Sequence, residues 1–184
     1  MSQSRVSAVI ESTPRHYSTQ GQELGGCRVD KALTSKISPT CPWHIPDEWI
    51  EDSTSRPKTI IDAAKLAIQR AALSSQRKIP HSEIPLIVHQ TWKNTHVESW
   101  SPLMRQSATR WLQAVGEGEM AYFLWDDEGV AQFVKSFEPE LEVQFYSLPS
   151  NVERSDVFRI IVAKWIGGIV SILVPFHKKR FDKC

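Results

Sequence analysis

A chain of 184 residues suits one domain, or a domain with an arm, and 41% apolar content with seven Trp and seven Phe is enough to build a core. The formal net charge of +1 provides no broad basic field to collect phosphates, so no nucleic-acid partner is expected. Three cysteines (Cys27, Cys41, Cys184) are too few and scattered for a disulfide framework, and no run of 18 apolar residues is present to span a membrane.

Residues 1–55 are rich in Ser, Thr, Gln, Gly and Pro with no sustained period, and are expected to form a mostly disordered arm. The first 20 residues lack the apolar core of a signal peptide, so the chain taken literally is expected in the cytoplasm. Cys41 and His44 stand three residues apart and Cys27 is a candidate third ligand, but a structural zinc site takes four and the sequence offers no fourth. Within the arm, residues 42–50 (PWHIPDEWI) are the exception, with Trp43 and Trp49 expected to dock on a surface. Residues 56–83 read as a helical lead-in: Ile60, Ile61, Ala64, Leu66, Ala67, Ile68, Ala71 and Leu73 recur at helical spacing over residues 59–77.

Pro80 and Pro85 interrupt, and then Leu86-Ile87-Val88 makes a short apolar run of the kind buried on both faces of a sheet. Ser101 is a cap candidate with Pro102 at the first helical position, and Leu103, Met104, Ala108, Trp111, Leu112 and Val115 continue at helical spacing to Gly116. A second strand is expected over residues 120–125, a short helix over 129–137, and a weak extended piece over 143–148. Residues 151–168 form a last helix, capped by Ser150 or Asn151 and stopped by Gly167-Gly168, before a final strand over 169–174. Strands alternating with helices predict an α/β fold with a parallel sheet and helical crossovers.

Such sheets bind ligands beyond the carboxyl ends of their strands. His89-Gln90-Thr91-Trp92 and Trp125-Asp126-Asp127 stand at two such ends, the final strand supplies a third, and the last helix presents Asp156 and Arg159 three residues apart on one face. That pair reads either as a surface ion pair or as one acidic and one basic group offered to a ligand. His89 reads as a strand-end histidine satisfied by backbone, and Asp126-Asp127 as a helix cap and first-turn charge. Trp92 and Trp125 stay open between core packing and a role against a base or sugar. Neither GxGxxG nor GxxxxGK[ST] occurs.

In order and spacing, IPLIVHQTW (residues 84–92), YFLWDD (122–127), Arg154-Ser155-Asp156 with Arg159, and Trp165-Ile166-Gly167-Gly168-Ile169 resemble glycosyltransferase family 32. That family includes the fungal Golgi α-1,6-mannosyltransferases, and the glucosylating clostridial toxins are a more distant likeness. The resemblance implies a GT-A fold, of which residues 84–174 would be the N-terminal, nucleotide-sugar-binding, Rossmann-like half. It implies a nucleotide sugar (GDP-mannose or a UDP-hexose) from which a hexose passes to an N-linked glycan in the Golgi. Gln90, Thr91 and Trp92 would line the nucleotide pocket. Asp156 and Arg159 would reach the sugar hydroxyls and the diphosphate, as suits a hydrogen-bond-accepting carboxylate and a guanidinium.

After Gly-Gly-Ile the family continues with an aromatic residue and Asp-x-Asp, whose carboxylates hold Mn²⁺ or Mg²⁺. Here the two aspartate positions hold Ile172 and Val174, and an unrelated basic tail occupies residues 175–184. No metal, other cofactor or catalytic residue is therefore expected in this chain. The abrupt end of the likeness at Ile169 is the pattern of a truncated product or unspliced intron. It implies an inactive member without the acceptor-binding half or the family's membrane anchor, with an uncovered sheet edge and marginal stability. The alternatives are a non-catalytic module, binding nucleotide sugar or pairing with an intact transferase subunit, and a ligand-free domain in which Asp156 and Arg159 pair only with each other.

Overall fold

The computed structural model describes residues 42–51 and 56–172. The rest of the expected arm, the basic tail, all three cysteines and Val174 lie outside the described residues. In chain order the elements are β1 (Trp43–His44), α1 (Ile60–Leu73), β2 (Ile87–Thr91), α2 (Pro102–Glu117), β3 (Ala121–Trp125), α3 (Asp127–Phe137), α4 (Glu142–Ser147), α5 (Asn151–Trp165) and β4 (Ile169–Ile172).

Local chemistry sets most of these boundaries. Thr59 and Asp62 exchange two hydrogen bonds of 3.1 Å, a capping box that starts α1. Its run of Ala buries one face, and the helix stops at Leu73, short of the expected Arg77, because Ser74 is extended. The Ser101 hydroxyl accepts from the Met104 N–H (3.3 Å) with Pro102 at the first position of α2, and Met104, Ala108, Leu112 and Val115 face inward. Ser150, rather than Asn151, caps α5, in a second capping box with Glu153.

The α5–β4 turn needs glycine. Gly167 and Gly168 have φ of 76° and 94°, and a Cβ at Gly168 would stand 2.5 Å from the Ile87 carbonyl oxygen. The glycine pair thus both ends the helix and lets β4 settle against β2.

The sheet order is β1-β3-β2-β4. Strand β2 runs parallel to β3 and β4, with Thr91 opposite both Trp125 and Ile172. Strand β1 lies antiparallel on β3, pairing Trp43 with Phe123 and His44 with Tyr122. The sheet is therefore mixed, where the sequence predicts an all-parallel one. The added strand comes from residues 42–50, which do more than dock: Trp43, Ile45 and Trp49 are buried in the core. Here the α/β class and the helical crossovers hold.

A second difference falls at residues 143–148, expected as extended. Residues 143–147 lie in α4, which continues from a 3-10 turn begun at Pro139, and only Leu148 after it is extended. Only Phe145 is buried, while Val143 is 79% exposed, so the residues lack the two-sided pattern that a strand would bury.

Helices α1, α3 and α5 cover one sheet face, packing on Ile87, Phe123 and Trp125. Helix α2 covers the other, packing on Val88, Tyr122 and Leu124. The pleat therefore sends alternate residues of β2 into two separate cores.

Candidate functional site at the carboxyl edge of the sheet

Because β2, β3 and β4 are parallel, Thr91, Trp125 and Ile172 end on one edge. Helix α5 begins at that edge: the Asn151 side-chain N–H donates to Asp127 in the first turn of α3 (3.2 Å).

Gln90 is fully buried on the α2 side, where its Oε1 accepts from the Tyr122 hydroxyl at 2.8 Å. Its Nε2 has no protein partner. Trp92, also on the α2 side, packs edge-on against Trp100 at 6.2 Å, and its buried indole N–H is likewise without a partner. The Trp100 indole, in contrast, donates to Asn94 at 3.0 Å. The side-chain nitrogens of Gln90 and Trp92, two residues apart at the end of β2, thus have nothing in the protein to accept from them. Thr91, between them, is buried and by alternation points to the opposite face.

Asp156 and Arg159 form an ion pair across one turn of α5, with 56% and 27% of their side-chain surfaces exposed. Among the described residues no hydrogen bond joins this pair to Gln90, Thr91 or Trp92. The five candidates therefore fall into two groups, one at the end of β2 and one on α5.

Trp125 is fully buried, stacked on Phe123 (5.3 Å) and edge-on to Phe133 and Phe158 (5.2 and 5.3 Å). It is a core residue. Asp126 caps α3 by accepting from the Gly129 N–H at 2.8 Å. The Asp127 carboxyl lies above its usual range through burial and then the neighbouring Asp126 charge, which Arg154 opposes. His89 is satisfied much as its sequence position suggests, with one side-chain partner added. The Trp125 indole donates to its Nδ1 (3.1 Å) and its Nε2 meets the Gly167 carbonyl (2.9 Å). An indole only donates and a carbonyl only accepts, so the ring is neutral and carries its proton on Nε2. Burial pulls its pKa down to about 4.

Tyr122 and Trp100 escape the sequence reading, although both shape the surroundings of Gln90 and Trp92. Tyr122 pairs with Val88 in register, one pleat from Gln90, which is visible only once the strands are aligned.

Strand β4 reads Ile169-Val170-Ser171-Ile172, and among the described residues no three His, Cys, Asp or Glu side chains gather to hold an ion. Mn²⁺ and Mg²⁺ take oxygen ligands, which a hydrocarbon at position 172 does not supply. The residues present do not fit the metal that the family resemblance implies.

No family model matches the chain, and no solved structure matches it. Among curated proteins it is similar to inositol phosphoceramide mannosyltransferase 3 of Schizosaccharomyces pombe, 33% identical over 47% of this chain and 23% of that protein. Inositol phosphoceramide mannosyltransferase 2 of the same yeast is 35% identical over 54% of this chain and 27% of its own length. Mannosyl phosphorylinositol ceramide synthase of Saccharomyces cerevisiae is 27% identical over 67% of this chain and 31% of its own length. The chain thus spans about a quarter to a third of the relatives it matches. These relatives are mannosyltransferases and mannosyl-lipid synthases by name. The α-1,6-mannosyltransferase subtype and the N-linked glycan are not what they are named for, and a phosphorylinositol ceramide takes that place. No helix among the described residues is long and apolar enough to cross a membrane.

Proposed function

We propose that residues 84–172 are the nucleotide-sugar-binding half of a GT-A mannosyltransferase fold, and that the nucleotide lies at the carboxyl end of β2. The observation that carries this reading is the pair of buried, partnerless N–H groups of Gln90 and Trp92. Each costs roughly 1–3 kcal/mol when desolvated without an acceptor, a cost that a ligand's carbonyl or hydroxyl oxygens would relieve. The Trp92 and Trp100 rings offer apolar surface beside them. Asp156 would accept from sugar hydroxyls and Arg159 would answer the diphosphate, exchanging their mutual contact for the ligand.

Relatives named for mannosyl transfer support GDP-mannose over a UDP-hexose, and their names support a phosphorylinositol ceramide acceptor over an N-linked glycan; the Golgi location rests on the family resemblance alone. Strand β4 supplies no carboxylate for a metal, so the proposed role of this chain is binding of the nucleotide sugar without transfer, alone or beside an intact transferase subunit. The competing reading, a ligand-free domain, draws on the Asp156–Arg159 contact, which already satisfies both charges. Calorimetric titration of the purified chain with GDP-mannose separates the two. Saturable heat is expected, and no binding at millimolar GDP-mannose would leave the ligand-free domain.

A further inference from the structure

His89 does more than fill space under the sheet edge. Its Nε2–H to the Gly167 carbonyl (2.9 Å) is the one side-chain hydrogen bond among the described residues that joins β2 to the α5–β4 connection. Its Nδ1 takes the Trp125 indole N–H (3.1 Å), so one ring bridges the middle of β2, the end of β3 and the turn that follows α5. The ring also stacks on Phe123 at 5.4 Å, which fixes its plane. The turn it holds has little freedom to relocate, because Gly168 already lies against the Ile87 backbone.

We propose that His89 is a positioning residue: its ring clamps the α5–β4 turn to β2 and so sets the spacing between the Asp156–Arg159 face and the Gln90–Trp92 group. Gln90 is the next residue on β2, and Gly167 stands eight residues after Arg159 along α5 and its turn. Helix α5 is thus held at both ends: Asn151 ties its first turn to Asp127 at the carboxyl edge, and the His89–Gly167 bond ties the turn after its last residue to β2. The spacing part of this inference rests on the nucleotide-sugar site proposed above, whereas the clamp itself does not.

Two variants dissect the ring. His89→Asn keeps an acceptor near Nδ1 for the Trp125 indole and loses the reach to Gly167. His89→Gln carries its amide N–H₂ toward the Nε2 position and loses the acceptor. In the ¹⁵N-labelled full chain, His89→Asn is expected to speed hydrogen exchange of the Val170 and Ser171 amides at least roughly tenfold while the Trp125 indole stays protected. His89→Gln is expected to do the reverse. GDP-mannose affinity is expected to fall further in His89→Asn than in His89→Gln. Equal loss, or no loss, of protection in both variants would overturn the clamp, as would a wild-type ¹⁵N imidazole spectrum showing the proton on Nδ1, a readout that needs no variant. If the wild-type chain binds no GDP-mannose, the site reading falls alone, and the exchange pattern still decides the role of His89.

Discussion

Gln90 and Trp92 keep two N–H groups away from water and leave them unanswered, which native cores rarely do. If a ligand accepts from them, changes at Gln90 and Trp92 should separate affinity from stability. Arg159→Ala tests the α5 half. Removing a partly exposed ion pair is expected to change the unfolding free energy by no more than about 1 kcal/mol, measured by chemical denaturation. If Arg159 contacts the diphosphate, the same change should weaken GDP-mannose binding by roughly tenfold or more, since a charged hydrogen bond carries about 1.5–3 kcal/mol. A variant that binds as well as wild type would return Asp156 and Arg159 to a plain surface pair. His89 gives a pH signature. Its folded pKa of about 4 lies below the unfolded value of 6.5, so the unfolded chain takes up the proton first as pH falls. The contribution of this residue to stability is complete above pH 6.5 and declines by about 1.4 kcal/mol per pH unit down to about pH 4. Denaturation midpoints measured across that window should fall in wild type and lose this component in His89→Gln. Asp126 was legible in the sequence because its partner is a backbone N–H three residues on, and His89 because a strand-end position offers backbone to its ring. The Trp125 indole bond to His89 was not, because it depends on the β2–β3 register.

Among the elements, the α5–β4 turn is the most constrained. Gly168→Ala would place a Cβ within 2.5 Å of a backbone oxygen at a positive φ, and neither can move without disturbing the β2–β4 pairing. It should destabilise the chain far more than Ser150→Ala, which removes one cap of α5 and costs typically ~1 kcal/mol. Comparable losses in the two variants, read from thermal or urea unfolding, would mean that β4 is not held against β2 as described. Helix starts were readable from Ser101-Pro102, Ser150 and Asp126, since a cap acts on the next three residues and needs no tertiary context. Strand β1 was not readable. It is two residues long, with Pro42 before it and Pro46 soon after, and its pairing is decided by the free edge of β3 rather than by any period of its own. Residues 143–148 misled for a related reason. Val143 and Phe145 stand two apart as in a strand, yet only Phe145 finds the core.

For the whole molecule, three layers form because β2 feeds one core through Ile87 and His89 and another through Val88 and Gln90. The segment expected to be an arm completes the larger core. Trp49→Ala should therefore cost ~3–5 kcal/mol, the range for a buried aromatic, in a denaturant titration, whereas a merely docked surface side chain would cost well under 1 kcal/mol. The broad architecture followed from alternation of apolar runs and helical patterns, and the likeness to mannosyltransferases followed from motifs in fixed order. The lipid character in the relatives' names did not, since the matching motifs are assigned to the donor and none to an acceptor. The carboxyl edge of this sheet is proposed to bind a nucleotide sugar. Calorimetry of the purified chain with GDP-mannose, repeated on Trp92→Phe, tests it most directly. Saturable binding to wild type that weakens when the indole N–H is removed is the expected result. Absence of binding at millimolar ligand, or equal binding by both proteins, would contradict it.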